Sequence, residues 1–124
     1  MKEIITTKNA PAAVGPYSQA VKSGNLLFCS GQIALDPASG VLTGSDIKAQ
    51  TEQVMQNISA VLATSKATFD NVLKTTCFLA DINDFAKFNE VYAKYFTGKP
   101  ARSCVAVSAL PKGALVEVEV IAVV

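Results

Sequence analysis

The 124-residue chain contains no histidine. Imidazole is the commonest general base near neutral pH and the commonest side-chain metal ligand. Its absence removes the usual Ser-His-Asp and Cys-His arrangements and most zinc sites. Chemistry must run instead on carboxylates, hydroxyls, a thiol, lysine, arginine or backbone groups. Tryptophan is absent too, and ten lysines stand against a single arginine, Arg102. Charged residues make up only 17% of the chain, below the ~25% of an average soluble domain. The 11 basic and 10 acidic residues leave a formal charge of +1 with no basic run, which gives no electrostatic footprint for nucleic acid. The longest apolar stretch, residues 120–124, is far shorter than the ~20 residues that span a bilayer. The opening residues 1–7 lack the apolar core of a signal peptide. Three cysteines, Cys29, Cys77 and Cys104, are an odd number without metal-like spacing and read as reduced thiols of a cytoplasmic protein.

What is present is a well-supplied interior. Half the residues are hydrophobic, enough for one domain covering residues 1–124. Residues 2–6 form a short first strand, and 9–16 a loop marked by Pro11, Gly15 and Pro16. Residues 18–22 and 26–30 read as two strands around the turn Ser23-Gly24-Asn25. Helical periodicity runs over 46–65, with Ile47, Val54, Ile58, Val61 and Leu62 on one face and Ser45 or Asp46 as cap. A strand at 72–80 precedes a second helix at 84–96, capped by Asn83, whose apolar face is Phe85, Phe88, Val91, Tyr92, Tyr95 and Phe96. The last strands, 102–107 and 115–123, are connected through Leu110-Pro111-Lys112-Gly113. This order predicts an α+β fold, a six-stranded mixed sheet with both helices on one face. The final strand is apolar on both sides: Val116, Val118, Val120 and Ala122 point one way, Ile121 and Val123 the other. Such a sheet needs a second covering layer, and copies of the chain supply it most economically.

Polar residues interrupt the pattern in a few places. Alternation puts Arg102, Cys104 and Ala106 on one strand face. A guanidinium fork suits a carboxylate or phosphate, and equally a surface salt bridge. Glu117 and Glu119 share a face of the last strand, either as the solvated charges of an edge strand or as a carboxylate that positions water and moves a proton. Asn89 lies on the apolar stripe of the second helix and ties it to a loop or faces a ligand. Cys104 reads as a small core hydrophobe. Gly15-Pro16-Tyr17-Ser18 and Ser30-Gly31-Gln32 sit at strand ends, as turn chemistry or as cleft walls.

Five segments together resemble the RidA (YjgF) family, in order and over nearly the whole chain. They are Ala10-Pro11-Ala12-Ala13-Val14-Gly15-Pro16-Tyr17-Ser18-Gln19-Ala20; Ser30-Gly31-Gln32; Asn83-Asp84-Phe85 with Asn89 and Tyr92; Pro100-Ala101-Arg102-Ser103-Cys104-Val105; and Leu110-Pro111 with Val116-Glu117-Val118-Glu119. The resemblance implies a chorismate-mutase-like fold and a homotrimer with three clefts between subunits. It implies hydrolysis of reactive enamines and imines, such as 2-aminoacrylate, to 2-keto acids and ammonia without a cofactor. It further implies that Arg102 binds the substrate carboxylate and that Tyr17, Ser30 and Asn89 line the cleft. Backbone groups of Gly31 and Cys104 would face the substrate's other end, and Glu117 would place the attacking water. One departure bears on substrate range: only Thr97-Gly98-Lys99 separates Phe96 from Pro100, where the family usually carries a longer loop with an aromatic before the proline. Two other readings compete: an endoribonuclease or translation inhibitor, which the lack of histidine and of a basic patch disfavours, and a non-enzymatic trimeric small-ligand sensor or chaperone-like protein.

Overall fold

Alternation along the last strand sets the layering. In the computed structural model, which describes residues 1–124, Val116, Val118, Val120 and Ala122 are all buried, whereas Glu117, Glu119, Ile121 and Val123 are half-buried or exposed. The strands are β1 (Lys2–Ile5), β2 (Ala20–Ser23), β3 (Leu26–Gln32), β4 (Val72–Leu79), β5 (Ala101–Ala106) and β6 (Val116–Val123); the helices are α1 (Ile47–Ala63) and α2 (Phe85–Tyr95). They form one six-stranded mixed sheet in the order β1-β2-β3-β6-β4-β5. All pairs are antiparallel except β4 with β5, which α2 joins as a crossover, since parallel neighbours cannot be linked by a tight turn. One apolar core contains the inward residues of the sheet together with Val54, Ile58, Val61 and Leu62 of α1 and Phe88 and Tyr92 of α2. The expected α+β architecture is therefore the observed one.

Local chemistry explains the boundaries. Asp46, the second of the two candidate caps, accepts the Ala49 amide at 2.8 Å and starts α1. The expected cap of α2, Asn83, is not one. Asp81 accepts the Asn83 amide at 2.9 Å and caps a short 3-10 turn, and α2 grows from that turn without a side-chain cap. The expected strand at 18–22 starts two residues later. Gln19 spends its side chain on the preceding loop, where its amide meets Thr7, Ala10 and Pro11. The reading of Glu117 and Glu119 as charges of a solvated edge strand is corrected: β6 is central, paired with β3 on one side and β4 on the other. No helix is long and apolar enough to cross a membrane.

No helix covers the opposite sheet face, and the N-terminal loop and the turn before β6 wall only its Glu117 end. Register aligns Ile4 with Val21, Val21 with Phe28 and Phe28 with Ile121, an apolar row across four strands. Ile4 is 59% exposed and Phe28 44%.

Candidate active site

The strand β5 carries Arg102 at the edge of the sheet, on the face that holds the helices. Its Nη1 donates to Asn89 Oδ1 at 2.7 Å. Its Cζ lies 4.8 Å from the centre of the Tyr92 ring and 5.4 Å from that of Phe85. Phe85, Asn89 and Tyr92 are spaced i, i+4 and i+7, so one stripe of α2 fixes the plane of the guanidinium through one hydrogen bond and two cation–π contacts. The Tyr92 hydroxyl is tied to Thr75 Oγ1 of β4 at 2.8 Å, and burial pushes its pKa up. Asn89 thus does not tie the helix to a loop; it orients Arg102. Arg102 forms no salt bridge within the chain, and its remaining donors line a cavity of about 360 Å³ with Thr97, Lys99 and Pro100. Cys104 follows two residues on and packs against the core. Burial raises its thiol pKa, and the charge of Arg102 opposes the rise only in part. Cys77, beside Cys104 in the register, is pushed up to about 12 by burial. These thiols stay protonated at neutral pH.

A second cluster lies elsewhere. Tyr17, Ser30, Gly31, Lys112 and Glu117 line a cavity of about 510 Å³. The Ser30 hydroxyl donates to the Ser18 carbonyl at 2.6 Å, and its amide to the Gln19 carbonyl at 2.9 Å. Tyr17 follows a tight turn in which its amide meets the Gly15 carbonyl at 2.9 Å, and the residue is 53% exposed. Glu117 is half-buried; loss of solvent, and secondarily the neighbouring Glu119, raise its carboxyl pKa above the usual range.

Within one chain the two clusters do not meet. Phe78 pairs with both Glu117 and Val105, and Arg102 lies three residues before Val105 on the same strand. Odd spacing puts Arg102 and Glu117 on opposite faces, roughly 10 Å apart along the strands and two strands, about 10 Å, across. The structure therefore gathers the expected residues into two sets: Arg102, Asn89 and Cys104 in one, Tyr17, Ser30, Gly31 and Glu117 in the other.

Several supporting residues escaped the sequence reading. Three buried amides hold main-chain segments in place, and two of them, Gln19 and Asn57, hold residues of the larger cavity's wall. Gln19 donates to the Pro11 carbonyl at 2.8 Å. Asn57 donates to the carbonyls of Ile33 at 3.1 Å and Leu35 at 2.9 Å. Gln50 donates to Gly44 at 3.1 Å and accepts the Leu115 amide at 2.9 Å. The signal was available for Asn57: a polar residue three after Val54 and four before Val61 interrupts an apolar stripe, as Asn89 does in α2. Thr75 and Tyr92 carried no such signal, because a hydroxyl on a buried strand or an aromatic on a core stripe reads as packing.

Known proteins place this arrangement. The family model for Endoribonuclease L-PSP matches residues 7–124. A RutC family protein of Pyrococcus horikoshii is 55% identical over 123 residues, 98% of each chain. The mouse protein named 2-iminobutanoate/2-iminopropanoate deaminase is 46% identical over 124 residues, 99% of this chain and 92% of that one. The crystal structure of Escherichia coli TdcF with bound serine superposes with a TM-score of 0.93 at 40% identity, covering 98% of both chains. With that family model spanning residues 7–124 and relatives 46% and 55% identical over nearly their whole length, the chain belongs to the Endoribonuclease L-PSP family, the YjgF/RidA family.

Proposed function

We propose that this protein hydrolyses small reactive enamines and imines bearing a carboxylate, 2-aminoacrylate among them, at clefts completed between subunits of a homotrimer. The observation that carries the reading is the division of the site. One cluster offers an oriented guanidinium and no carboxyl group. The other offers a carboxyl group and no cation but the exposed Lys112. An uncovered apolar row lies on the sheet face that carries Glu117. A neighbouring copy seated on that face would cover the row and bring its Arg102 to the Glu117 of the first. The named activity of the mouse relative and the serine held by TdcF, a small amino acid, fit a site of this kind.

The chemistry asks little of the side chains. The enamine tautomerises to the imine, whose carbon is already electrophilic. Water adds to that carbon, a proton passes to nitrogen, and the tetrahedral adduct expels ammonia to leave the 2-keto acid. Arg102 holds the substrate carboxylate, so the reacting carbon has a fixed address. Glu117, its pKa raised by burial, takes a proton from water and returns it to the departing nitrogen. No histidine is required. RNA cleavage, suggested by the family's name, finds a single arginine and a net charge of +1, too little for a phosphate backbone.

The test generates 2-aminoacrylate with a serine or threonine dehydratase and follows keto-acid release with and without the protein. Arg102→Ala and Glu117→Gln are then assayed alone and as refolded mixtures. Acceleration by the wild type, silence of each variant, and recovery of about a quarter of wild-type activity in a 1:1 mixture are expected, since random trimers rebuild one site in four. An unchanged rate with wild-type protein sinks the deaminase reading. Activity that never returns on mixing places both residues in one subunit's site.

A further inference from the structure

Glu117 has no partner that explains how it is held. Within the chain it makes no ion pair and no side-chain hydrogen bond, unlike Arg102, whose plane is fixed three ways. A carboxyl group without polar restraint can be positioned only by the shape around it. On one flank stands Phe78 of β4, its paired residue. On the other stands β3 at a bulge: Cys29 pairs with Val120 and Gln32 with Val118, three steps in β3 against two in β6. The extra residue breaks the alternation there and presents Gly31 to the Glu117 side chain.

The space at Gly31 is filled by that side chain. A Cβ added to Gly31 would stand 2.9 Å from Glu117 Cδ and 3.0 Å from Cγ, and closer still to Oε2. Such approaches are not tolerated, so any other residue must push the carboxyl away. Gly31 does not owe its presence to backbone conformation: unlike Gly15, Gly24, Gly40, Gly44 and Gly113, it does not have a positive φ. Room for a neighbour is what glycine supplies here.

We infer that Gly31 is a positioning residue, a notch in the bulge of β3 that seats the Glu117 carboxyl at the wall of the larger cavity. The inference rests on the reading that Glu117 handles water and proton. The other charged or titratable groups near Glu117 are Glu119 on its own strand, Lys112 of the turn before β6 and Tyr17 of the N-terminal loop, while Lys74, on the same face of β4, lies four residues from Phe78, the residue paired with Glu117. None of them is close enough to fix its carboxyl by an ion pair.

The experiment is a double-mutant cycle of Gly31→Ala and Glu117→Asp, read as kcat, KM and the pH profile of 2-keto-acid release, with the Glu117 carboxyl followed by 13C NMR titration. With Glu117 in place, Gly31→Ala is expected to lower kcat about 100-fold, as an ångström of misplacement does, with little change in KM and a shifted carboxyl titration. In the Glu117→Asp background, where the carboxyl has withdrawn by one methylene, the same substitution is expected to lower kcat by less than about fivefold. An equal loss in both backgrounds, or full activity and an unmoved pH profile in Gly31→Ala, overturns the notch. If wild-type protein releases no keto acid, the deaminase reading fails separately. The titration then decides alone: an unmoved Glu117 carboxyl in Gly31→Ala overturns the inference, and a moved one upholds it.

Discussion

The single arginine is the residue whose choice is best explained. A lysine at 102 would present a point charge that neither stacks nor forks, whereas the guanidinium uses its face on Tyr92 and Phe85 and one edge on Asn89, and keeps donors free. The opposing carboxyl obeys a different rule. Glu117 is half-buried and titrates above the ordinary value of 4.5. Between those two values the folded protein binds more protons than the unfolded chain, so the stability slope with pH is negative there. Stability associated with this group is complete below 4.5 and declines as pH rises through the folded pKa. Glu117→Gln is therefore expected to be more stable than wild type at about pH 7 and no more stable at about pH 4. Urea unfolding at fixed protein concentration checks this; equal stability at both values would show that burial does not disfavour the charge. That the arginine matters was legible, because ten lysines and one arginine is a pattern any reader of the chain can see. What holds it was not: Tyr92 and Thr75 look like core.

Elements were legible where chemistry is local. The stripes of α1 and α2, the hairpin turn at Gly24-Asn25 and the Asp46 cap depend on residues a few positions apart. The central place of β6 was not, since strand order is decided by pairings across tens of residues, and a strand with two glutamates reads equally well as an edge. The same limit hid the inward-facing amides. Asn57 of α1 is nearly fully buried and donates to two carbonyls on the segment after β3. Alanine there leaves the Leu35 carbonyl without a protein partner, at about 1–3 kcal/mol, and takes from the Ile33 carbonyl one of its two donors, the Leu35 amide at 2.8 Å remaining, at about 1 kcal/mol. Asn57→Ala is expected to lose about 2–4 kcal/mol of stability, with faster amide exchange confined first to residues 33–43. Loss below about 0.5 kcal/mol would mean that the segment holds itself.

For the whole molecule, the decisive feature is a face rather than a cleft. The row Ile4, Val21, Phe28 and Ile121 crosses four strands without a cover. Each large side chain there returns about 1.5–3 kcal/mol when shielded from water. Phe28→Asp is expected to leave the fold intact by circular dichroism, to sediment as a monomer and to lose keto-acid release altogether. A monomeric variant that retains activity would show that the site needs no second subunit. This face was anticipated from the two-sided apolar strand; its alignment into one row was not, because that needs the register of three pairings.

The buried amides have a consequence for how such a protein changes over generations. Pro11, Ile33 and Leu35 line the larger cavity, and each is gripped by its main-chain carbonyl from Gln19 or Asn57. A main-chain grip is indifferent to the side chain it carries. The contour of the cavity and the chemistry of its lining are thus inherited separately: new side chains at 33 and 35 alter what the wall recognises while the wall stays where it is. A scaffold built this way can diverge in ligand preference by single substitutions without passing through unfolded intermediates.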